Sequence, residues 1–311
     1  MKRLDDLQHS TVPGNGHTEP TQKGILDSRR LPDASFDGLW DSIIIETEIK
    51  DRLLAQAILN FTLRPKFDRA SIPLHGIILL VGPPGTGKTS LARGLASKTA
   101  RTLSGKPFHF LEVEPHALAS AALGRSQQAV KQLLGTTIAE QAAYGPVIVL
   151  LDEVETLAAD RAKMSMEANP VDVHRATDAV LAQLDHLASS FPELLFVATS
   201  NFPKAIDGAF LSRVDQIVTI DLPTVEACHE IATSTLSALA SQFPKIDALL
   251  RHRDLSGLGK RCHGLDGRQI RKAVLTALTL DRATAIDPNR LTALDLLTAL
   301  DNAKKHSTRA P

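Results

Sequence analysis

The pattern of hydrophobic and polar positions divides the chain into two regions of different character. Five continuous apolar runs, with helix-like segments between most of them, occupy residues 76–82, 108–113, 147–152, 194–200 and 216–220. Apolar runs of this length are typical of strands that are buried on both faces of a parallel sheet. The alternation of strands and helices predicts right-handed βαβ units and therefore an α/β fold.

Outside these runs the pattern predicts a tail at each end and a second, helical region. Residues 1–35 are polar and rich in Pro and Gly, so we expect a flexible tail there. Order is expected from Phe36, and residues 49–63 have apolar positions at helical spacing. After Pro223 the apolar stretches are amphipathic and helical. The predicted divisions are a tail over residues 1–35, a large α/β domain over 36–222, a helical domain over 223–305 and a tail over 306–311.

Charge and hydropathy narrow the class of protein. The 311 residues include 35 basic and 35 acidic side chains, so the formal net charge is zero. Binding to duplex nucleic acid needs a concentrated excess of Lys and Arg, so nucleic acid is not the expected partner. We find no apolar run of the ~18 residues that a membrane helix requires, and no signal-peptide pattern at the N-terminus. We therefore expect a cytoplasmic protein that does not enter the membrane.

The two cysteines raise the question of a metal site. Cys228 and Cys262 are too few for a disulfide framework, which favours a reducing compartment. Each precedes a histidine, His229 or His263, so a zinc site of two Cys and two His is an alternative. Adjacent Cys-His pairs do not match the usual zinc spacing, because neighbours on a helix point in different directions. We expect these four side chains to be unrelated.

A glycine-rich motif that binds nucleoside triphosphates follows the first apolar run. GPPGTGKT, residues 82–89, fits G-x-x-x-x-G-K-[ST] without a mismatch and lies between a predicted strand and a predicted helix. The backbone N–H groups of such a loop surround the phosphates, and the helix N-terminus adds a favourable dipole. Lys88 is expected at the β- and γ-phosphates, and the Thr89 hydroxyl at Mg²⁺. The predicted ATP-binding residues are Gly82, Pro83, Pro84, Gly85, Thr86, Gly87, Lys88, Thr89 and Ser90.

Polar residues end two later strands, at the sheet edge that carries the phosphate loop. Asp152 and Glu153 follow the run VIVLL, where Asp152 is expected to hold Mg²⁺ and Glu153 to activate the attacking water. Asn201 ends the run LLFVATS and is expected to orient that water. On its own, Asn201 would rather indicate a turn before Pro203. The two preceding motifs favour the catalytic interpretation.

Two arginines complete the predicted constellation. Arg213 lies just before the last strand of the sheet, and Arg268 lies at the start of a helix in the second region. A guanidinium can stabilise charge on a transferring phosphoryl group, and a neighbouring subunit can supply it. Because isolated arginines commonly form surface salt bridges, these two assignments depend on the order and spacing of the motifs.

The order of these motifs along the chain resembles that of the AAA+ ATPases. Within this family it resembles the pachytene-checkpoint ATPases, which remodel HORMA-domain proteins. The similarity covers roughly residues 36–305, and DEVETLAADR and VLAQLD are its branch-specific parts. The stretches that carry it are WDSIIIETEIKDRLL, GPPGTGKTSL, DEVETLAADR, NPVDVHRATDAVLAQLDHL, ATSN, IDGAFLSRVD and GLDGRQIRK. The resemblance implies a five-stranded parallel sheet in the order 5-1-4-3-2, followed by a small helical lid domain.

The resemblance also implies roles and partners. Asn201 would be sensor 1, Arg213 an arginine finger that acts on a neighbouring subunit, and Arg268 the sensor 2 that closes the lid on the γ-phosphate. The chain would form a homohexamer that uses ATP and Mg²⁺ and pulls a HORMA-domain substrate through a central pore. Similar bacterial ATPases accompany a HORMA protein and a nucleotidyltransferase in antiphage signalling, where remodelling would switch the signal off.

Two departures from the family pattern stand out. Eukaryotic members carry a folded N-terminal domain that docks an adaptor, whereas nothing before Phe36 is large or apolar enough to be one. The first pore loop usually presents an aromatic residue, but Ala122 and Leu123 stand there, and the second pore loop would contain Met164 and Met166. A general AAA+ unfoldase, and a nucleotide-dependent scaffold without useful turnover, remain alternative functions.

Overall fold

A central β-sheet carries the site-bearing part of the molecule. The structure is a computed structural model that describes residues 24–114, 132–156, 158 and 170–307. Its strands are β1 (Ile25–Leu31), β2 (Ile77–Val81), β3 (Phe108–Val113), β4 (Val147–Leu151), β5 (Leu194–Ser200) and β6 (Gln216–Thr219). They form one sheet in the order β1-β3-β4-β5-β2-β6, in which β2 to β6 run parallel and β1 runs antiparallel to β3.

The five parallel strands lie in the order that the sequence predicted. Counted along the chain without β1, the observed order β6-β2-β5-β4-β3 is 5-1-4-3-2. The α/β fold class is therefore confirmed, and the sheet has one strand more than predicted. The predicted pore residues Ala122, Leu123, Met164 and Met166 lie outside the described residues.

Burial on both faces explains why the strands read as continuous apolar runs. Along β2, Ile77, Leu79 and Val81 belong to the core on one face of the sheet, and Ile78 and Leu80 belong to the core on the other. Since successive side chains of a strand point to opposite faces, a strand that is covered on both sides needs apolar residues at every position.

Helices cover the two faces of the sheet. One face packs against helices α1 (Ala34–Ser42), α2 (Thr47–Leu63) and α3 (Lys88–Thr102), through residues such as Trp40, Leu53 and Leu95. The other face packs against α5 (Pro170–Ser190), through Val180 and Leu184, and against a π-helical turn (Leu133–Ile138) that leads into α4 (Ala139–Tyr144). The short α6 (Gly208–Leu211) lies before β6.

The region after residue 223 is helical and has a hydrophobic core of its own. Its helices are α7 (Val225–Ala240), α8 (Asp247–Leu250), α9 (Leu258–Cys262), α10 (Gly267–Ala277), α11 (Arg282–Ile286) and α12 (Ala293–Ser307). Ile231, Leu258, Val274 and Leu296 are among the buried residues of this third core, and Ile44 packs against it from the N-terminal region. The last helix continues to Ser307 rather than ending at residue 305. None of the described helices is long and apolar enough to cross a membrane.

The expected tail over residues 1–35 is wrong in its last part. Strand β1 occupies Ile25–Leu31, and α1 begins at Ala34 with Asp33 as its N-cap. The sequence of β1, ILDSRRL, does not alternate between apolar and polar positions, so periodicity could not identify it. Its backbone pairs with β3 at Ile25 and from Asp27 to Leu31, with an irregularity between Ile25 and Asp27, and its two apolar ends, Ile25 and Leu31, are buried.

The charged centre of β1 is held by local contacts. The Arg29 guanidinium pairs with Asp27 at 2.6 Å and lies 4.4 Å above the Phe36 ring centroid. Because β1 is an edge strand, its polar side chains remain partly exposed, and charged residues at a sheet edge also discourage pairing with other chains. Tertiary pairing, rather than the local pattern, therefore orders this segment.

Two neighbouring residues of β1 test directly whether this segment is packed against the sheet. Ile25 is 4% exposed, whereas Leu26 is 57% exposed. We expect Ile25→Ala to lower the free energy of unfolding by about 2–4 kcal/mol, because it leaves a cavity in the core. The matched control Leu26→Ala should change the free energy by less than about 0.5 kcal/mol. Urea unfolding followed by the fluorescence of Trp40, the single tryptophan of the chain, measures both; equal effects would contradict the placement of β1.

Candidate nucleotide site

The phosphate loop turns tightly between β2 and α3. The backbone φ of Gly82 is +152°, and a Cβ there would lie 2.1 Å from the Ile220 carbonyl oxygen. Gly85 has φ +80°, and a Cβ there would lie 2.3–2.6 Å from the carboxylate atoms of Asp266. Glycine is therefore required at both positions, by conformation at Gly85 and by the close approach of other atoms at each.

Lys88 begins α3 with its ammonium group inside the loop. Its Nζ donates hydrogen bonds to the carbonyl oxygens of Gly82 at 2.9 Å and Pro83 at 2.7 Å. Burial lowers the pKa of Lys88, an effect that the carboxylates of Asp152 and Glu155 oppose. The ammonium is thus placed at the centre of the loop, where a triphosphate would meet it.

The side chains of Thr89 and Asp152 meet beside the loop. The Thr89 hydroxyl donates to the Asp152 carboxylate, with Oγ1 at 2.9 Å from Oδ1 and 3.2 Å from Oδ2. The Thr199 hydroxyl, from β5, also donates to Oδ1 of Asp152. Hydroxyl and carboxylate oxygens are the donors that Mg²⁺ prefers, and Mg²⁺ typically takes few protein ligands beside substrate phosphates. This pair of residues fits a Mg²⁺ site.

Glu153 adopts an uncommon backbone conformation immediately after β4. Its φ is +51°, the left-handed region, which costs a residue with a side chain about 1–2 kcal/mol. Its N–H donates to the Thr199 hydroxyl at 3.2 Å, and its carbonyl accepts from Thr156 N at 2.9 Å. The surrounding bonds hold the strained turn, and such strain is concentrated at functional sites.

Asn201 follows β5 on the same edge of the sheet. Because β5 lies between β4 and β2, Asn201 is flanked by the strand that delivers Asp152 and the strand that delivers the phosphate loop. Gly82 N donates to Ser200 O at 3.3 Å, which joins the loop to the end of β5. The Asn201 N–H donates to Oε1 of Glu155 at 3.1 Å.

A cavity of about 270 Å³ opens between the phosphate loop and the C-terminal helices. Its polar wall contains Arg268, while Ile231 and Leu275 supply apolar surface. The complete lining is Ser42, Ile43, Ile44, Ile45, Gly85, Thr86, Gly87, Ser90, Asp221, Pro223, Ile231, Gly267, Arg268, Arg271, Lys272 and Leu275. A cavity with cations beside a phosphate loop and an apolar wall beyond it suits a nucleotide with a flat base.

The start of α10 brings the helical region against the phosphate loop. The Asp266 carboxylate caps the helix by accepting from Gln269 N, and the Gln269 side-chain oxygen accepts in turn from Asp266 N. The same carboxylate lies against Gly85, and Arg271 donates to Ser42 O at 2.6 Å. The first turn of α10 is therefore fixed at the cavity, with Arg268 on its wall.

Arg213 is engaged by an aspartate of α5. Its Nε and one terminal nitrogen bind the two oxygens of Asp185 at 3.0 and 2.7 Å, and the other terminal nitrogen binds Ala209 O at 2.6 Å. Arg69 donates to the same carboxylate at 3.2 Å. The hydrogen bonds from Arg213 hold the pKa of Asp185 below its usual range. Asp185 therefore fixes the orientation of the Arg213 guanidinium.

Arg213 lies at the opposite end of the sheet from the phosphate loop of its own chain. Asp215, two residues later, donates to Ile77 O at the start of β2, whereas Gly82 and Lys88 follow the end of that strand. Five strand residues span about 17 Å at 3.3–3.4 Å per residue. Arg213 is therefore placed away from the nucleotide site of its own chain.

The structure thus brings together most of the residues that the sequence singled out. Lys88, Thr89, Asp152, Glu153 and Asn201 share one sheet edge, and Arg268 joins them from the C-terminal region. Arg213 stands apart. Sequence reasoning missed Thr199, Glu155, Asp185 and the apolar lining at residues 43–45. The three consecutive isoleucines, on a stretch between helices, were the signal for that lining, whereas nothing local marks Thr199 as a partner of Asp152.

The two cysteines are both buried in the third hydrophobic core. Burial raises the pKa of Cys228 to about 11 and that of Cys262 to about 12. Within the described ranges, we find no group of three or more His, Cys, Asp and Glu side chains that could hold a metal ion. The described residues therefore offer no support for the zinc alternative.

Comparison with known proteins identifies relatives along most of the chain. Residues 78–222 match the family model "ATPase family associated with various cellular activities (AAA)". CD-NTase-associated protein 6 of Pseudomonas aeruginosa is 57% identical over 293 residues, which cover 94% of this chain and 96% of that protein. The pachytene checkpoint protein 2 homolog of Xenopus tropicalis is 34% identical, covering 86% of this chain and 67% of that protein.

A solved structure shares the fold. The structure titled as a HORMA:CdnC:Trip13 complex of E. coli MS115-1 contains a chain that matches with a TM-score of 0.68. The match covers 91% of this chain and 97% of that chain, at 22% sequence identity. At this identity the likeness concerns the fold alone.

Thr199 provides a test of the site that does not depend on activity. We expect Thr199→Val to lower the free energy of unfolding by about 1–3 kcal/mol, because Glu153 N loses its acceptor and Asp152 loses a donor. Thr199→Ser keeps the hydroxyl and should cost less than about 1 kcal/mol. Urea unfolding measures both. If the valine variant is as stable as the serine variant, the hydrogen bonds do not support the site.

Proposed function

Because this chain belongs to the AAA ATPase family, in the branch that includes the pachytene checkpoint proteins, we propose that it uses ATP hydrolysis to remodel a HORMA-domain protein. The observation that carries the proposal is one sheet edge that holds Lys88, Thr89, Asp152, Glu153 and Asn201. In the proposed cycle, the ATPase opens the HORMA protein, which then dissociates from its partner. The signal that this complex produces thereby ends.

The residues of this edge divide the chemistry among them. Lys88 and the loop N–H groups bind the β- and γ-phosphates, while Thr89 and Asp152 hold Mg²⁺. When bound by these two residues, Mg²⁺ would supply positive charge against the charge that develops on the phosphate oxygens. Glu153 accepts the proton of the attacking water, and Asn201 orients that water. Arg268 contacts the γ-phosphate from the first turn of α10, so that the lid responds to the state of the nucleotide.

We propose that the active form is a homohexameric ring. The position of Arg213 supports this, because the residue cannot reach the phosphate loop of its own chain and its guanidinium is oriented by Asp185. A guanidinium supplied by a neighbouring subunit completes the charge stabilisation that phosphoryl transfer requires. The site is then shared between two chains, as in the trans-acting role predicted from the sequence.

The substrate assignment follows from the relatives. CD-NTase-associated protein 6 shares more than half of its residues with this chain over nearly its whole length. The E. coli complex of the same fold contains HORMA and CdnC proteins. We infer that a HORMA protein is the substrate here, with a nucleotidyltransferase as its partner in antiphage signalling. Because the proposed activity consumes ATP, we place it in the cytoplasm.

The proposed function has a direct test. We expect the protein with MgATP to dissociate a purified closed HORMA–nucleotidyltransferase complex, for example one assembled from the two partners of the E. coli structure. Glu153→Gln should bind ATP and the substrate but neither hydrolyse nor dissociate, because the carboxylate base is lost while Asp152 remains. Size-exclusion chromatography and phosphate release measure these steps. Rapid ATP hydrolysis without dissociation of the complex would refute the substrate assignment.

The shared site predicts complementation between two inactive variants. Arg213→Ala and Lys88→Ala should each lose at least about 90% of the ATPase rate alone, as expected for groups that contact the phosphates. Mixed rings should regain activity, because an Arg213→Ala subunit keeps its own phosphate loop and receives the arginine of a Lys88→Ala neighbour. The matched control is Arg268→Ala with Lys88→Ala. That mixture should stay inactive, since Arg268 lines the cavity of its own chain. Equal rescue in both mixtures would contradict the assignment.

A further inference from the structure

Glu155 is an acidic residue of the site that has no role in the scheme above. It lies in a 3-10 turn, Val154–Thr156, directly after Asp152 and Glu153. Its Oε1 accepts a hydrogen bond from the backbone N–H of Asn201 at 3.1 Å. This bond spans 46 residues of chain and joins the turn after β4 to the end of β5. Glu155 therefore fixes the residue that we expect to orient the attacking water.

The second oxygen of Glu155 is also informative. Oε2 is buried, and no hydrogen-bond donor reaches it from the part of the chain that the structure describes. A buried carboxylate oxygen without a donor is costly, so the atom calls for an explanation, of which a hydrogen-bonded water is one. Oε1 already fixes the carboxylate against Asn201, and the second oxygen is consequently held beside the same residue.

The charge of Glu155 acts on the phosphate loop as well. Burial lowers the pKa of Lys88, and among the carboxylates that oppose this effect Asp152 is the strongest and Glu155 the next, ahead of Glu153. The Glu155 carboxylate thus contacts the Asn201 backbone and lies near enough to the Lys88 ammonium to act on its charge.

From these contacts we propose that Glu155 is a positioning residue of the hydrolytic site: one carboxylate oxygen holds Asn201, and the other accepts a hydrogen bond from the water that Asn201 orients. The inference rests on the proposed ATP hydrolysis at this site. It explains why the turn carries two glutamates. Glu153 takes the proton, and Glu155 holds the water and Asn201 in their relative positions.

Two substitutions distinguish the roles of the two Glu155 carboxylate oxygens. Glu155→Gln keeps an acceptor for Asn201 N–H but replaces the second oxygen by an amide donor, whereas Glu155→Ala removes both. We expect kcat to fall about tenfold in the glutamine variant and about a hundredfold in the alanine variant. The Kd for a fluorescent ATP analogue should stay within about threefold of the parental value, because neither change removes a phosphate contact. Glu140→Gln, on an exposed glutamate of α4, is the matched control and should change neither quantity.

A second readout does not depend on turnover. In nucleotide-free protein, Glu155→Ala should lower the Tm by a few degrees, since Asn201 N–H loses its acceptor, while Glu155→Gln should keep the parental Tm. An alanine variant with the parental Tm would overturn the role of the first oxygen. A glutamine variant with the parental kcat would overturn the role of the second.

A double-mutant cycle with Asn201→Ala shows whether Glu155 acts through Asn201. If it does, adding Glu155→Ala to Asn201→Ala should lower kcat by about tenfold, the share of the direct contact with the water, instead of the hundredfold expected in the parental background. Effects of the two changes that multiply would overturn the inference and leave the proposed function intact. Lack of ATP turnover in the parental protein would instead contradict the proposed function.

Discussion

The position of β2 between β5 and β6 is the constraint on which the site depends. The phosphate loop can stand beside Asn201 only because β2 pairs in parallel with β5, from Ile77 opposite Phe196 to Val81 opposite Ser200. The same parallel pairing puts the end of β4 next to the end of β5. Three strand ends that are distant in sequence thereby form one edge, and the hydrogen bonds from Thr89 and Thr199 to Asp152 close it.

The same parallel arrangement separates the two kinds of arginine. The candidate site lies at the carboxyl ends of the parallel strands, whereas a residue just before β6 lies at the amino ends, because β6 runs parallel to β2. Arg213 therefore cannot share a site with Lys88 of its own chain, whatever its side-chain conformation. Arg268 can, because it belongs to the helical region that folds back over the carboxyl edge. The proposed division between a cis-acting and a trans-acting arginine thus has its physical basis in strand direction.

The features that the sequence predicted well are those that short-range patterns determine. Continuous apolar runs predicted the five parallel strands, and the glycine-rich motif predicted the phosphate loop, because each requirement acts on neighbouring residues. The order of the strands came from the family resemblance. The sequence pattern did not predict strand β1, because this strand is ordered by its pairing with β3 and not by its own pattern. Thr199 and Glu155 were not predicted as site residues for a related reason, since their partners Asp152 and Asn201 are 47 and 46 residues away.

The helical region is tied to the nucleotide site through charge and through packing at once. The Asp266 carboxylate caps α10, and the cations that follow it, among them Arg268 and Arg271, belong to the lining of the cavity. Ile44, beside that cavity, packs against the core of the C-terminal helices. The phosphate loop therefore meets a helix whose first turn is fixed at Gly85 and whose body belongs to a separate core. Because packed cores move as units and do not deform continuously, a displacement of that first turn would be transmitted to the helical region as a whole.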